Sequence, residues 1–233
     1  MLISIIIPVF NEETFIKEIL IRINNISELK KEIIVVNDCS NDNTDKILES
    51  ECKNLYTKII KNNKNMGKGY SVRQGIIHAS GEIIIIQDAD LEYNPENYLI
   101  LINPIVNGEA QVVYGSRVLN GGKRTRPNTI DTKIRMFANN FLTFFSNFLN
   151  NQNLTDCHTC YKVFLSSVIK RIDLEENGFA FCPEVTAKIS KLGIRIKEVP
   201  IDYFGRTHKE GKKIVFMDGL KAVYAIIKYN LKQ

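Results

Sequence analysis

Ile83-Ile84-Ile85-Ile86-Gln87-Asp88-Ala89-Asp90 is the stretch that decides the fold. Four β-branched residues in a row, entered from Gly81 and left through polar groups, read as a buried strand. Asp88 and Asp90 stand at i and i+2 just past its end, where both can turn toward one site as the chain leaves the sheet. Carboxylate oxygens suit a hard divalent cation such as Mg2+ or Mn2+. A metal held there could clamp a diphosphate and stabilise it as a leaving group. A solvated acidic loop is the plainer reading of so short a motif, so the rest of the chain must decide.

Outward from this strand the N-terminal half alternates strand and helix. The strands are expected at 2–7, 32–36, 57–61, 82–87 and 110–114. Phe15, Ile16, Ile19, Leu20 and Ile23 recur at helical spacing, and further helices are expected at 41–52, 68–79 and 95–106. That alternation implies a mostly parallel sheet covered on both faces, with ligands beyond the carboxyl ends of its strands. Polar motifs sit at those ends: Asn11-Glu12, Asn37-Asp38, Asn65-Met66-Gly67, Asp88 with Asp90, and Ser116-Arg117. Loops are polar in any case, but five such ends point to one cleft. The second half is less regular. It holds a glycine-rich basic stretch at 120–128, an aromatic helix at 130–149, a helix at 182–192, a strand at 195–201, a basic loop at 206–213 and an amphipathic helix at 217–231.

Composition sets the outer limits. The chain has 233 residues, 44% hydrophobic and 24% charged, which fits one large α/β domain, 1–233. A net charge of +5, local in origin, argues against a dedicated nucleic-acid binder. The run after Met1 has no basic flank and reads as a strand, not a signal peptide. No stretch approaches the roughly 18 apolar residues that cross a bilayer, so a cytoplasmic protein is expected, in reach of the cytoplasmic face of a membrane. Five cysteines, an odd number, point to reduced thiols. Cys157-His158-Thr159-Cys160 has zinc-like spacing but no second ligand pair.

The ordered motifs resemble family 2 glycosyltransferases. The segments that carry the resemblance are Ser4-Ile5-Ile6-Ile7-Pro8-Val9-Phe10-Asn11-Glu12-Glu13, Ile33 to Ser40 with Asp42 and Thr44, and Asn65-Met66-Gly67-Lys68-Gly69. Gly81-Glu82 through Asp88-Ala89-Asp90-Leu91-Glu92, then Tyr114-Gly115-Ser116-Arg117, complete the set. Asp156 with Thr159-Cys160-Tyr161-Lys162-Val163-Phe164, and Glu198-Val199-Pro200-Ile201 before Arg206 and Lys212-Lys213, are similar to enzymes related to dolichyl-phosphate mannose synthase. Cys160-Tyr161 stands where that subfamily has Gly-Phe, and Glu210-Gly211-Lys212-Lys213 replaces its Gly-x-Ser-Lys. The resemblance implies the GT-A fold, a Rossmann-like sheet flanked by helices. It assigns 1–117 to the nucleotide sugar and a less regular 118–233 to the acceptor.

The same resemblance distributes roles. Pro8, Asn11, Glu12, Asp38, Gly67, Lys68 and Ala89 would lie against a UDP- or GDP-sugar. Asp88 and Asp90, with Glu92 adding an oxygen, would hold Mg2+ or Mn2+. Arg117 would face phosphate, whose oxygens suit the planar guanidinium, with Arg126 and Arg206 as further candidates and Lys212 and Lys213 behind them. Each has a plainer reading: Glu12 as a helix-start charge, Asp38 as an Asx-turn, Lys68, Arg126 and Arg206 as solvated cations. A polyprenyl phosphate acceptor needs no general base, whereas a sugar hydroxyl would, with Glu184 and Asp156 as candidates.

The reading is therefore an inverting, metal-dependent transfer of one sugar to a dolichyl or undecaprenyl phosphate. A hydroxyl acceptor and a non-catalytic nucleotide-sugar-binding subunit are the alternatives. Helices 130–149 and 217–231 could lie in the headgroup plane or pack on the core. With no spanning segment through Gln233, membrane contact is expected to be peripheral or through a partner.

Overall fold

The computed structural model describes residues 1–125, 127–206 and 216–231. Among the described residues nine strands run in chain order: β1 (Ile3–Val9), β2 (Lys31–Asn37), β3 (Lys58–Lys61), β4 (Ile83–Ile86), β5 (Val112–Ser116), β6 (Arg124–Thr125), β7 (Lys162–Leu165), β8 (Lys197–Pro200) and β9 (Tyr203–Phe204). The helices are α1 (Ile16–Asn24), α2 (Thr44–Ser50), α3 (Lys68–His78), α4 (Tyr98–Val106), α5 (Ile130–Asn150), α6 (Ser166–Ile169), α7 (Phe181–Lys191) and α8 (Phe216–Leu231). A single 3-10 turn, Pro95–Asn97, leads into α4 and takes the place of the first turn expected there.

Seven strands form one sheet in the order β3-β2-β1-β4-β7-β5-β8, and β6 pairs with β9 in a second, two-stranded sheet. The apolar runs explain the centre: β1 and β4 pair in parallel, Ile3 opposite Ile83 through Ile6 opposite Ile86, and every one of these residues is buried. The expectation of a mostly parallel, helix-flanked sheet is met. The exception is β7, which runs antiparallel to both β4 and β5. The sequence reading had no strand there, because Lys162 opens a run of only four residues. Lys162 is nevertheless fully buried, its Nζ donating to the carbonyls of Cys157 (3.0 Å) and Thr159 and lying 4.4 Å from the centre of the Tyr114 ring. Carbonyl oxygens and an aromatic face replace the water that a buried ammonium loses. All five cysteines are unbridged, as reduced thiols require.

The C-terminal helices pack on one another. Leu142 of α5 meets Ala222 and Ile226 of α8, with Phe145 and Val223 against them. This divides the apolar positions of both helices. Ile134, Phe137, Phe141, Phe144 and Phe148 of α5 stay exposed, as do Leu220, Tyr224, Ile227 and Leu231 of α8. Spacings of three and four residues put each set on one stripe. Among the described residues no helix is long and apolar enough to cross a membrane.

Close packing of α3 on the sheet rests on Gly75. A β-carbon there would strike the Ile6 side chain at the centre of β1. Gly75→Val is therefore expected to destabilise the fold by about 1–3 kcal/mol, read as a lower urea midpoint at unchanged slope.

Candidate active site

The carboxyl ends of β1, β2, β4 and β5 open on a common edge, and the polar motifs gather there. Pro8 lies within β1, opposite Val36 of β2. Asn11 follows in the left-handed region (φ 52°) and knits β1 to the turn after β2. Its N–H donates to Ser40 Oγ (3.0 Å) and its Oδ1 accepts from the Asn41 N–H (2.9 Å). Glu12 is nearly buried, and its N–H donates to Thr44 Oγ1 (2.9 Å). Asp38 ties β2 to the glycine turn. Its Oδ1 accepts from the Met66 N–H (2.9 Å) and Asn62 Nδ2 (2.6 Å), and its Oδ2 from the Gly67 N–H (2.7 Å). Gly67, at φ 95°, takes a backbone shape that a side chain would strain. Lys68, the first residue of α3, then reaches Asp88 at 2.5 Å.

Beyond β4 the chain turns sharply. Gln87 is wholly buried; its Oε1 accepts from the hydroxyls of Tyr98 and Tyr161 (2.7 Å each) and its Nε2 donates to the Asp88 carbonyl (2.8 Å). That network fixes the backbone from which Asp88 and Asp90 project. Arg206, just after β9, sits among carboxylates: Asp90 Oδ2 at 2.8 Å, Glu12 Oε2 at 3.7 Å and Glu92 Oε1 at 3.8 Å. Glu92 accepts the Tyr203 hydroxyl (2.9 Å) on one oxygen and the Arg206 N–H (2.8 Å) on the other.

Electrostatics follow from this crowding. Burial, then the negative charges of Asp88 and Glu92, push the Asp90 carboxyl up to about 7. Burial works the same way on Asp88, but the Lys68 charge together with hydrogen bonds from Lys68 and Cys160 and the charge of Arg206 holds that carboxyl below its ordinary value. Even with Arg206 at 2.8 Å the negative charge around Asp90 is only partly balanced, and the cluster's carboxylate donors are hard oxygens. Both features fit a divalent cation. The three-carboxylate set expected from the sequence does not assemble: among the described residues no three acidic, histidine or cysteine side chains converge on one point. Asp88 leans to Lys68 and Glu92 to Tyr203, so the fit is to a metal that takes its remaining ligands from phosphate and water.

Arg117 leaves the end of β5 and meets buried Asp156 in a bidentate pair, Nε to Oδ2 at 2.7 Å and Nη2 to Oδ1 at 2.8 Å. The Arg117 N–H adds a third bond (3.0 Å) and Asn139 of α5 a fourth (3.2 Å). Burial alone would raise the Asp156 carboxyl; the Arg117 charge and these bonds override it and bring it to about 2. Glu198 holds the segment from behind, accepting the N–H groups of Thr155 (2.7 Å) and Asp156 (3.0 Å). The Arg117 guanidinium lies 5.2 Å from the centre of the Tyr203 ring, so Tyr203 joins the arginine to the carboxylate cluster.

The structure thus brings Pro8, Asn11, Glu12, Asp38, Gly67, Lys68, Asp88, Ala89, Asp90, Glu92, Arg117, Asp156 and Arg206 to one edge of the sheet. Glu184 stands apart from those contacts: it is fully buried, and its oxygens accept the N–H groups of Glu175 (2.7 Å) and Glu176 (2.9 Å). Arg126, Lys212 and Lys213 lie outside the described residues. Tyr203, Gln87 and Asn139 were missed. Only Gln87 gave a signal, as the one polar residue between an apolar run and the Asp pair.

Comparison with known proteins gives this edge a context. The family described as glycosyl transferase family 2 matches residues 4–173. The dolichol-phosphate mannosyltransferase of Pyrococcus furiosus is 29% identical over 99% of this chain and 65% of its own length. This chain therefore spans somewhat less than two thirds of that relative. The UDP-N-acetylglucosamine–dolichyl-phosphate N-acetylglucosaminyltransferase of Methanococcus voltae is 30% identical over 72% of this chain and 67% of its own. Among solved structures, glucosyl-3-phosphoglycerate synthase from Mycobacterium tuberculosis, in complex with Mn2+, UDP-glucose and phosphoglyceric acid, superposes with a TM-score of 0.74. It covers 98% of this chain and 79% of the synthase at 16% identity, a likeness of fold. The strand-end motifs, the sheet and a family match from residue 4 to residue 173 agree: the chain belongs to glycosyl transferase family 2 and has the GT-A fold.

Proposed function

We propose that this chain is a glycosyltransferase that moves one sugar from a UDP- or GDP-sugar to a polyprenyl phosphate, dolichyl or undecaprenyl, with inversion at the anomeric carbon. The observation that carries the acceptor class is that both candidate bases are committed elsewhere. Asp156 is clamped by Arg117 and held near 2, too acidic to take a proton from a sugar hydroxyl. Glu184 spends its oxygens on backbone N–H groups and on Lys188 (2.7 Å). A phosphate monoester is already ionised near neutral pH and attacks without a base. The two named relatives, a dolichol-phosphate mannosyltransferase and a dolichyl-phosphate N-acetylglucosaminyltransferase, support the same acceptor.

The chain's residues then bind, orient and screen charge. Glu12 and the Asp38-fixed turn border the nucleoside. Lys68, at the N-terminus of α3, adds a cation and helix-end N–H groups where a diphosphate would lie. Arg117, held in place by Asp156, would face the phosphate. Arg206 keeps Asp90 and Glu12 from repelling one another until a donor arrives. Asp88 and Asp90 would hold Mg2+ or Mn2+, which when bound stabilises the departing diphosphate. Attack from the face opposite the leaving group inverts the sugar.

The exposed stripes of α5 and α8 support contact with the surface in which such an acceptor is dissolved. Asn139, on the opposite side of α5 from the exposed stripe, touches Asp156, so the helix that carries the stripe packs on the segment that holds Arg117.

Two outcomes are expected. Incubation with a panel of UDP- and GDP-sugars, Mn2+ or Mg2+ and a polyprenyl phosphate should give a sugar–lipid product from one donor, abolished by EDTA. Asp90→Asn should lower its rate by roughly a hundredfold or more, as losing a transition-state charge contact does. Nucleotide release indifferent to the lipid would point to a hydroxyl acceptor instead. Second, Phe141→Ser with Phe144→Ser should abolish flotation with phosphatidylcholine–phosphatidylglycerol vesicles while leaving the affinity for nucleotide unchanged.

A further inference from the structure

We infer that Glu184 is a positioning residue for the donor, acting through the loop 174–178 on the Gly67-Lys68-Gly69 turn. The inference rests on the nucleotide-sugar reading above and assigns a task inside it to a carboxylate that the sequence marked as a base.

The loop lies directly on the start of α3. The Asn177 carbonyl accepts the Tyr70 N–H at 3.0 Å, and a β-carbon on Gly67 would lie 2.6 Å from that same oxygen. A β-carbon on Gly69 would meet the carbonyls of Glu176 and Gly178. These glycines therefore make room for a strap of backbone as well as for a ligand. Because the strap touches the residues on both sides of Lys68, its place sets the direction from which the Lys68 ammonium approaches Asp88.

The strap cannot hold this position alone. Glu184, fully buried on α7, accepts the N–H groups of Glu175 and Glu176, one on each oxygen, and Lys188 neutralises it at 2.7 Å. Arg73 of α3 grips the strap from the other side, donating to the Leu174 carbonyl (2.6 Å) and the Asn177 side chain. On α8, Tyr229 donates to Glu176 (2.7 Å) and Lys228 pairs with it at 3.0 Å. Only a carboxylate can take two N–H donors side by side without offering one of its own. Glu184→Gln turns an amide NH2 toward a backbone N–H and frees that end of the strap.

The test compares wild type, Glu184→Gln and Arg73→Met in three measurements: titration with UDP and GDP in Mn2+, thermal melting, and donor-dependent kinetics. Wild type is expected to bind one nucleotide. Each variant should raise the nucleotide Kd and the donor KM about tenfold, the size of effect usual for a residue that orients a ligand contact. The kcat should fall by less than about threefold, since the loss is in binding. A folded Glu184→Gln protein with wild-type Kd and a kcat lowered a hundredfold would make Glu184 a base and overturn the inference. If Glu184→Gln fails to fold, Arg73→Met decides, because Arg73 is half-exposed and lies outside α7; a wild-type Kd there overturns it equally. Failure of the wild-type protein to bind either nucleotide sinks the donor reading itself, a result distinguishable from both.

Discussion

The structure depends on one electrostatic constraint: four largely buried carboxylates, Glu12, Asp88, Asp90 and Glu92, line one edge of the sheet without converging on a single point. Like charges at such range disfavour one another, and low polarity enlarges the effect. Lys68 and Arg206 answer it from two different elements, one opening α3 and the other following β9. The compensation is incomplete, since Asp90 still sits near 7. Any further positive charge placed at Asp90 would therefore be stabilising.

Much of the remaining architecture brings those cations into range. The small β6–β9 sheet presents Arg206 to a cluster built on β1 and β4, more than a hundred residues earlier in the chain. Tyr203, on β9, donates to Glu92 and turns its ring toward Arg117, so the acidic and basic parts of the edge share a wall. Behind the edge, Gln87 and its two tyrosines keep the turn after β4 rigid. Such buried, fully bonded polar groups specify one geometry more than they add stability.

The sheet's parallel core was legible because β1, β2 and β4 are continuous apolar runs, and the edge residues because they follow those runs at once. What the sequence withheld was non-local. Val163-Phe164-Leu165 is too short a run to mark a strand by itself, since the antiparallel slot it fills exists only once β4 and β5 have left a gap. Asp156 and Glu184 both read as candidate bases, because a sequence cannot show which donors surround a carboxylate. The mixed apolar positions of α5 and α8 were ambiguous for the same reason: packing against each other, through Leu142, Phe145 and Ile226, decides which ones face out.

The placement of β7 has a consequence for how the chain reaches this state. β4 and β5 are consecutive in the chain, yet in the sheet β7 separates them, and β5 pairs only with β7 and β8. During synthesis, then, β1 to β4 can assemble as soon as they emerge, while β5 must wait unpaired for about 50 further residues before its neighbour exists, with the chain extending at ~5–20 residues per second. Until then the edges of both β4 and β5 stay open, the condition in which strands find wrong partners. Closure of the sheet is a long-range event late in the chain, and contacts of that kind set slow folding rates. The polar edge, where Arg206 meets Asp90 and Tyr203 links it to Arg117, forms only after that insertion.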